Sequence, residues 1–536
     1  MPFSRLLALL ILSVSASACA THPGKVSQVR FAADARHVMA ATRTGVVRGV
    51  QGDGVRAWLG VPYAAPPVGD LRWRPPRPVA AWEGPRDATR ISRDCTQAIG
   101  RRAILGGGGG IVVGSEDCLY LNVYAPAEAV GSAPVMVYIA GGAFTVGAGA
   151  NYDPSRLARE AGRVVVTFNY RLGALGWLAH PALAQGKASP GGEYGLMDMQ
   201  AALRWVHENI AGFGGDPNDV TLFAESAGAW SACYLMVSPG SEGLYHRVIL
   251  QSGGCLEPSS LVHADQAAAD GVRFAEGLGC GGEDAAACLR ALPRGRLARA
   301  ASTRSGLNGP GSWGPVYGGA VSPEAPPVAF AAGRFTRVPV IVGSNADEGR
   351  LFAAEVKDWD RYSKETIWMY GDVGPAVLDQ YPAGEAGPAR TIARQFTDQR
   401  FACPSEALRR LLARHVRVHG YEFADADAPF MLPDWITGLD MGAYHASELA
   451  YVFGTRWLFA DPGRFTPQQR VLSERMMSLW ADFGHDPEFD DRWPRIHPDG
   501  TPVLVFDPNG DRLDDDYAER RRCRFWSSTP FGPVTG

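Results

Sequence analysis

Short apolar runs rich in β-branched residues recur along the middle of the chain and strongly constrain its fold. They are 135–140 (VMVYIA), 164–170 (VVVTFNY), 220–224 (VTLFA), 248–252 (VILQS) and 338–345 (VPVIVGSN). Runs of this length and composition are typical of strands buried inside a parallel sheet. Between the second and third runs, apolar residues from Leu196 to Ile210 recur every three or four positions, which predicts a helix with one apolar face. Alternating strands and helices predict an α/β fold with a mostly parallel central sheet flanked by helices.

The overall composition fits a large soluble protein and argues against nucleic acid as a partner. The chain has 536 residues, of which 46% are hydrophobic and 20% are charged, as expected for a protein with a large buried core. Its 52 Lys and Arg residues are outnumbered by 56 Asp and Glu residues, so no basic excess is present to neutralise phosphates. No repeat, long linker or charge block divides the chain, and we expect a single domain over residues 26–536.

The first residues predict export from the cytoplasm. Arg5 is followed by the apolar run 6–14 (LLALLILSV) and then by small residues. This run is far shorter than the ~20 residues that span a bilayer, so we expect no transmembrane segment. Residues 1–18 are interpreted as a signal peptide. Cleavage after Ala18 and lipid attachment at Cys19 both fit the pattern and remain open.

A candidate nucleophile lies at the end of the third run. Residues 220–236 (VTLFAESAGAWSACYLM) pass from predicted strand into predicted helix, with Ser226 at the turn. A sharp turn of this kind exposes a serine hydroxyl at the edge of a sheet. The usual G-x-S-x-G pattern needs small residues two positions either side of the serine, and here they are Ala224 and Gly228. Alone, the pentapeptide is a weak signal, because a serine at an ordinary helix start has the same appearance.

The surrounding sequence resembles the type B carboxylesterase family, which includes the cholinesterases, and in particular its bacterial para-nitrobenzyl-esterase-like members. Both signature stretches of the family have counterparts, at 213–231 (FGGDPNDVTLFAESAGAWS) and 116–124 (EDCLYLNVY). Further blocks follow in the family's order, at 59–76, 169–178, 193–223, 344–352 and 442–454. The resemblance covers nearly the whole mature chain and implies an α/β-hydrolase fold whose large insertions form an active-site gorge.

The resemblance also implies a catalytic triad. A serine hydroxyl is a poor nucleophile near neutral pH, so it needs a base within hydrogen-bond reach and a third group that orients this base. His445 in GAYHASEL matches the family's base, and Glu348 in SNADEG matches its acid. Asp347 is the competing carboxylate, but the family's acid immediately precedes a glycine, here Gly349. The chain order Ser, Glu, His is that of α/β-hydrolases.

An oxyanion-binding loop is expected after the first run. Residues 140–144 (AGGAF) resemble the family's HGGGF loop, so the implied donors are the backbone N–H groups of Gly142 and Ala143, together with that of Ala227 after the nucleophile. Ala143 replaces a glycine but keeps its N–H. Ala140 replaces a histidine and lacks any side-chain bond that this histidine makes in relatives, which puts the rigidity of the loop in question.

Other positions carry roles implied only by the resemblance. Glu225, Ser252 and Glu448 match residues that form a buried polar network near the histidine, although simple structural hydrogen bonding would explain each of them. Glu116 in EDCLYLN is expected to form an ion pair with Arg72 in DLRWRPP.

No cofactor or metal is called for. His415 and His419 have helical i,i+4 spacing but lack the HExxH glutamate, so a solvated helix face is favoured over a metal site. The glycine-rich segment after the first run is not followed by the Lys-Ser/Thr pair of a phosphate-binding loop.

The cysteines indicate an oxidising compartment. By resemblance, three disulfides are implied: Cys95–Cys118, Cys280–Cys288 and Cys403–Cys523. Cys233 and Cys255 are expected to be buried free thiols, with a fourth bridge left open. Disulfides persist outside the cytosol, so these pairs and the signal peptide agree on a periplasmic or extracellular location.

The leading hypothesis is a serine carboxylesterase that hydrolyses a small-molecule ester through an acyl-enzyme. The same mechanism would serve a hydrolase of amides, carbamates, lipids or a polyester toxin. A non-catalytic binding protein is a third hypothesis, against which the complete set of triad residues argues. Trp177, Trp230, Trp313 and Tyr317 are candidates to line a substrate gorge, or alternatively to pack in the core.

The loop between Cys95 and Cys118 predicts poor hydrolysis of choline esters. Cholinesterases hold the quaternary ammonium with aromatic rings, chiefly a tryptophan in this loop, whereas residues 96–117 contain no aromatic side chain. We expect kcat/KM for a choline ester to be at least about tenfold below that for an alkyl or aryl ester of the same acid. Equal values in a direct comparison would contradict this prediction.

Overall fold

The computed structural model describes residues 36–535 except 101–108, 129–130, 185–190, 303–312, 354–355, 385, 433–438, 484, 486–488 and 499. The predicted signal peptide at 1–18 and the candidate lipid-attachment residue Cys19 lie outside the described residues.

The strands and helices alternate along most of the chain. The strands are β1 (Arg36–Thr42), β2 (Gly45–Gly52), β3 (Val55–Pro62), β4 (Arg86–Asp87), β5 (Gln97–Ile99), β6 (Ile111–Val113), β7 (Tyr120–Pro126), β8 (Ala133–Ile139), β9 (Val164–Phe168), β10 (Gly215–Glu225), β11 (Arg247–Gln251), β12 (Val262–His263), β13 (Val316–Tyr317), β14 (Val340–Asn345), β15 (Val418–Phe423), β16 (Val503–Phe506) and β17 (Arg512–Asp514). The α-helices are α1 (Ser155–Ala161), α2 (Gly173–Trp177), α3 (Tyr194–Asn209), α4 (Ala227–Met236), α5 (Ala264–Gly277), α6 (Ala285–Ala291), α7 (Arg294–Ala301), α8 (Pro326–Ala331), α9 (Arg350–Ala353), α10 (Trp359–Tyr370), α11 (Gly374–Gln380), α12 (Pro388–Thr397), α13 (Cys403–Ala413), α14 (Leu449–Phe453), α15 (Pro467–Asp482), α16 (Phe489–Arg492), α17 (Tyr517–Arg520) and α18 (Cys523–Ser527).

One large sheet organises the molecule. Its 13 strands follow the order β1-β2-β3-β7-β9-β8-β10-β11-β14-β15-β16-β17, with β4 paired to β2. The strands from β9 across to β16 run parallel to their neighbours, whereas β1, β2, β3 and β7 at one edge and β17 at the other pair antiparallel. The five runs predicted as strands correspond to β8, β9, β10, β11 and β14. The mostly parallel sheet predicted from the sequence is therefore confirmed, and it has the α/β-hydrolase arrangement.

Both faces of this sheet are buried. Alternate residues of β8 belong to different hydrophobic clusters: Val135 and Val137 pack in one, and Met136 and Tyr138 pack in the other. This alternation follows from the two-residue period of a strand. The predicted amphipathic helix is α3, whose apolar stripe packs on the first face, while α14 and α15 cover the second face. Helices on both faces explain why the strands are apolar throughout. None of the described helices is both long and apolar enough to cross a membrane.

The expectation that His415 and His419 share a solvated helix face is wrong. Helix α13 ends at Ala413, so His415 follows the helix, and His419 lies in β15 with none of its surface exposed. The i,i+4 spacing has no helical meaning here, because the chain has already turned into a buried strand. Among the described residues, no group of three or more His, Cys, Asp or Glu side chains is placed to hold a metal ion.

The disulfides agree with the resemblance at three pairs and differ from expectation at the fourth. Bonds join Cys95 to Cys118, Cys280 to Cys288 and Cys403 to Cys523. A further bond joins Cys233 to Cys255, so the expectation of free thiols at these two positions is wrong. The physical reason is topological. Cys233 lies in α4, which begins where β10 ends, and Cys255 follows the neighbouring strand β11, which brings their Cα atoms to 5.9 Å.

An ion pair near the first disulfide joins the matching block at 59–76 to the signature stretch at 116–124. Arg72 Nε donates to Glu116 Oε2 at 2.7 Å, as the resemblance implies. The same guanidinium donates through Nη1 to the carbonyl oxygens of Arg290 at 2.9 Å and Leu292 at 2.8 Å. The Arg72 guanidinium therefore connects the chain near the Cys95–Cys118 disulfide to the segment that follows Cys288.

The fourth disulfide predicts a measurable loss of stability when it is removed. Its closed loop spans 22 residues, so the double variant Cys233→Ala/Cys255→Ala should lower the free energy of unfolding by about 3 kcal/mol. Chemical denaturation measures this difference. Alkylation of the denatured, unreduced wild-type protein should leave Cys233 and Cys255 unlabelled by mass spectrometry, and labelling of both would contradict the bond.

Candidate active site

Ser226 occupies a strained turn between β10 and α4. Its φ of 55° and ψ of −126° lie outside the ordinary regions for a residue with a side chain. The turn is held from two sides: Ser226 N–H donates to the carbonyl of Gln251 at 2.9 Å, and Gly228 packs against the end of β8. A Cβ at Gly228 would lie 2.2 Å from the carbonyl oxygen of Ile139, so only glycine fits. The small residue in the pattern thus lets helix and strand approach closely.

His445 and Glu348 complete a hydrogen-bonded chain with this serine. His445 Nε2 lies 2.9 Å from Ser226 Oγ, and His445 Nδ1 lies 2.6 Å from Glu348 Oε2. The other oxygen of Glu348 accepts a hydrogen bond from the N–H of Asn345 at 2.7 Å. Glu348 has no exposed surface. Asp347, the competing carboxylate, turns away and pairs with Arg350 at 2.8 Å.

The three side chains come from the carboxyl ends of neighbouring strands. Ser226 follows β10, Glu348 follows β14, and His445 is carried by the long connection after β15. In α/β sheets, ligands bind at this edge. Aromatic rings fix the imidazole plane, with the ring centroids of Phe352 and Phe401 lying 5.5 and 4.9 Å from that of His445.

The predicted oxyanion loop follows β8 and contacts Ser226. A Cβ at Gly141 would lie 2.6 Å from Glu225 Oε2 and 2.9 Å from Ser226 Cβ, so the backbone touches both residues. Gly142 and Ala143 have left-handed backbone conformations, with φ of 120° and 51°. Within the described residues, nothing accepts a hydrogen bond from the N–H groups of Gly142 and Ala143. Such free backbone donors beside a nucleophile are suited to an oxyanion.

Ala227 is the third predicted donor. It is the first residue of α4, where a backbone N–H has no acceptor within the helix. Its position directly after Ser226 places this N–H beside that residue and on the positive end of the helix dipole.

Other contacts hold the loop that lacks the family histidine. Tyr170 donates its hydroxyl to the carbonyl of Ala140 at 2.8 Å. Gly173 N–H donates to the carbonyl of Phe144 at 2.7 Å, and Gly149 N–H donates to Asn169 Oδ1 at 2.9 Å. The rigidity that Ala140 called into question is supplied by neighbouring segments.

Glu225 lies beside the imidazole as a second carboxylate. Its Oε1 is 3.2 Å from His445 Nε2, and the residue is buried. Burial is the main cause that raises the pKa of Glu225, and the charges of Glu448 and Glu348 raise it further. Burial alone would lower the pKa of His445, but the carboxylates of Glu225 and Glu348 more than offset this, and the pKa of His445 is raised. The site therefore stabilises an imidazolium.

Glu448 belongs to a buried network on the far side of the histidine. Its two oxygens accept hydrogen bonds from Asn345 Nδ2 at 2.6 Å and from Gln251 Nε2 at 3.0 Å. Gln251 is in turn held by Trp480 Nε1 at 3.1 Å. Burial first, and then the charge of Glu348, raises the pKa of Glu448. Asn345 and Gln251 were not predicted, although each lies within three residues of a predicted one.

Ser252 is not joined to this network. It is fully buried with a φ of 50°, and within the described part of the chain its Oγ has no hydrogen-bond partner. Its backbone N–H donates to the carbonyl of Gly343 at 2.9 Å. This backbone bond joins Ser252 to the end of β14, and the side-chain role implied by the resemblance stays a prediction.

A pocket lined by aromatic rings and partly open to solvent adjoins the site. Its rings include Phe144, Trp177, Trp230 and Trp313. Phe144 directly follows the loop residue Ala143, and Trp230 lies one turn after Ser226 in α4. Of the four aromatic residues proposed from the sequence, the three tryptophans line this pocket. Tyr317 does not, and its ring instead contacts His263 with centroids 5.1 Å apart.

Comparison with known proteins assigns the chain to a family. The pattern of the carboxylesterase family matches residues 36–526. Fumonisin B1 esterase of Sphingopyxis macrogoltabida is 39% identical over 489 residues, covering 87% of this chain and 85% of the relative. Para-nitrobenzyl esterase of Bacillus subtilis is 33% identical over 515 residues, covering 91% and 99% respectively. A solved structure of a PNB esterase has a TM-score of 0.75 at 30% identity and covers 91% of this chain and 100% of its own. This chain therefore belongs to the carboxylesterase family and is a carboxylic ester hydrolase.

Proposed function

We propose that the chain cleaves carboxylic esters to an acid and an alcohol through a Ser226–His445–Glu348 triad and an acyl-enzyme intermediate. The observation that carries the proposal is the continuous chain of hydrogen bonds from Ser226 Oγ through His445 to Glu348, at 2.9 and 2.6 Å. Both distances lie within the reach that proton transfer requires.

In the first half of the reaction, Ser226 Oγ attacks the ester carbonyl while His445 Nε2 takes its proton. Glu348 holds the other ring nitrogen and stabilises the imidazolium that forms. The negative charge that develops on the carbonyl oxygen is stabilised by the N–H groups of Gly142, Ala143 and Ala227. One donor of this kind contributes about 2.7 to 4 kcal/mol to lowering the barrier.

Collapse of this intermediate releases the alcohol and leaves the acyl group on Ser226. His445 gives its proton to the departing alkoxide. Water then enters, and His445 removes a proton from it as its oxygen attacks the acyl carbonyl. Collapse of this second intermediate breaks the bond to Ser226 Oγ, His445 returns the proton to Oγ, and the acid is released. The same donors stabilise the second oxyanion, so one constellation serves both halves.

The substrate class follows from the pocket beside this site. Phe144 and Trp230 stack with ring centroids 5.9 Å apart, and Trp177 meets Phe144 edge to face at 5.1 Å. A pocket walled by aromatic rings favours apolar groups. We therefore assign the enzyme to small-molecule esters with an apolar acyl or alcohol group. The esters in the names of its relatives, fumonisin B1 and para-nitrobenzyl compounds, show how far substrates vary within the family.

The proposal includes export. Four disulfides among the described residues suit an oxidising compartment. Together with the predicted signal peptide at 1–18, they support a periplasmic or extracellular enzyme, either freely secreted or attached through lipidated Cys19.

Replacement of the nucleophile is the direct test. Ser226→Ala should lower kcat for para-nitrophenyl acetate by about 10⁴-fold or more, because no other group can form the acyl-enzyme. A stoichiometric organophosphate should phosphorylate the wild type with complete loss of activity and leave Ser226→Ala unmodified by mass spectrometry. Ser231→Ala is the matched control, since it removes a buried hydroxyl in the same helix that donates to the carbonyl of Ala227. A wild type that neither hydrolyses the ester nor reacts with the organophosphate would instead indicate a non-catalytic binding protein.

The raised pKa of His445 predicts the pH dependence. Only neutral imidazole accepts the serine proton, so kcat/KM falls as pH drops through the pKa of His445, and this acid limb should lie above the ~6.5 of an unperturbed imidazole. Glu225→Gln removes a carboxylate that raises this pKa, so the limb should move to lower pH by roughly one unit. Glu448→Gln should move it less, because Glu448 is the weakest of the three carboxylate influences on His445. An unchanged limb in Glu225→Gln would overturn this assignment.

A further inference from the structure

The orientation of one peptide group governs the proposed oxyanion donors. The carbonyl of Gly141 and the N–H of Gly142 belong to the same planar peptide unit, so they point in opposite directions and turn together. Whatever fixes the Gly141 carbonyl therefore also fixes the Gly142 N–H. Gly142 has a φ of 120°. Glycine adopts positive and negative φ about equally readily, so its own conformational preference does not hold the peptide in this orientation. Contacts from other residues must therefore hold it.

Gly147 lies against the Gly141 carbonyl. A Cβ at Gly147 would be 2.5 Å from the oxygen of Gly141, so the two backbones are in direct contact. Between them the loop closes on itself, because the N–H groups of Thr145 and Val146 both donate to the carbonyl of Gly142, at 3.1 and 3.0 Å. The backbone of Gly147 therefore restricts rotation of the Gly141–Gly142 peptide.

The side chain of Gln97 forms hydrogen bonds with both the N–H and the carbonyl of Gly147. Gln97 Oε1 accepts from the N–H of Gly147 at 3.0 Å, and Gln97 Nε2 donates to the carbonyl of Gly147 at 3.1 Å. The same Nε2 donates to the carbonyl of Cys95 at 3.2 Å. Gln97 is only 6% exposed, so these bonds are shielded from competing water.

A covalent frame holds Gln97 in turn. Cys95, two residues earlier, is bonded to Cys118. Asn169 Nδ2 donates to the carbonyl of Cys118 at 3.2 Å, while its Oδ1 accepts from Gly149 as described above. Two amide side chains, Gln97 and Asn169, thus connect the disulfide-closed segment to the far end of the oxyanion loop.

We propose that Gln97 is a positioning residue for the oxyanion site: its double hydrogen bond to Gly147, braced by the Cys95–Cys118 disulfide, orients the Gly142 N–H. The inference rests on the proposed function. Gln97 acts through Gly147 and Gly141. It restricts the motion of the 140–144 loop, where position 140 is alanine rather than the histidine of the family's loop.

This role has a kinetic signature of its own. The oxyanion exists only in the transition state and the tetrahedral intermediate, so loosening its donors lowers kcat and leaves substrate binding almost unchanged. Neither of the hydrogen-bond partners of Gln97, Gly147 and Cys95, touches His445, so the acid limb of the pH profile should stay in place. A role in folding alone would lower thermal stability without this pattern.

The test compares Gln97→Leu and Gln97→Asn with Gln200→Leu in the full-length protein. Leucine removes both bonds to Gly147, and asparagine keeps the amide but is one methylene too short to reach. Gln200 is the matched control: it is also 6% exposed, and its Nε2 donates to the hydroxyls of Ser238 and Ser241, at 2.8 and 3.0 Å, away from the loop.

For both Gln97 variants we expect kcat for para-nitrophenyl acetate to fall by about tenfold to fiftyfold, a fraction of the loss caused by deleting a donor outright. KM should stay within about twofold. Inhibition by a trifluoromethyl ketone, which forms an oxyanion adduct with the serine, should weaken by the same factor as kcat, and Gln200→Leu should match the wild type in both measurements.

Two results would overturn the inference: kcat in folded Gln97→Leu equal to that of Gln200→Leu, or a loss expressed in KM with unchanged ketone affinity. Gln97→Asn carries the test if Gln97→Leu fails to fold. Failure of the proposed function is distinguishable, because it would appear as activity retained by Ser226→Ala, before any Gln97 variant is compared.

Discussion

The close approach of two backbones at the ends of β8 and β10 is the constraint on which the site depends. Gly228 abuts the carbonyl of Ile139, and Gly141 abuts Ser226. Without side chains at these glycines, the strained serine turn and the donor loop come into contact. Strain at Ser226 persists because the sheet beneath it is buried on both faces and the first turn of α4 is packed on all sides. The large core thus has a chemical consequence, since it holds an unfavourable backbone conformation in place.

Burial also affects the charged groups of the site, because it brings three carboxylates close to one histidine in a protein interior. Glu225, Glu348 and Glu448 lie around a single imidazole in a medium of low dielectric, where like charges repel strongly. The site accommodates them in different ways. Glu348 has two hydrogen-bond donors, His445 and Asn345, and Glu448 has two amide donors. Glu225 instead lies in an ion-pair contact with the imidazole, and its charge is the largest of the carboxylate influences on the pKa of His445.

Much of the framework could be predicted from sequence because buried parallel strands are continuous apolar runs. β15 was not found, since its segment VHGYEF contains polar residues that are satisfied only by distant partners. His419, for example, has its Nδ1 2.8 Å from the carbonyl of Trp493. The histidine pair was misjudged for the same reason, because spacing does not reveal where a helix ends. The disulfide between Cys233 and Cys255 forms because β10 and β11 are neighbours in the sheet. The order of strands in a sheet is not apparent from the order of residues in the chain.

The candidate site divides along similar lines. Ser226, Glu348 and His445, the residues proposed to carry the chemistry, lie in dense local patterns, and the structure brings these three together. Residues that position those groups, such as Gln97 and Asn345, do so by hydrogen bonds from amide side chains. Gln97 bonds to the backbone of Gly147, and Asn345 bonds to the Glu448 carboxylate, about a hundred positions away. An amide has no charge and no characteristic spacing, so only the folded contacts disclose its role. Two of the disulfides lie near the proposed site: Cys95–Cys118 near Gln97, and Cys233–Cys255 on the helix that follows Ser226. The oxidising compartment expected for this enzyme therefore bears on the geometry of catalysis as well as on the stability of the fold.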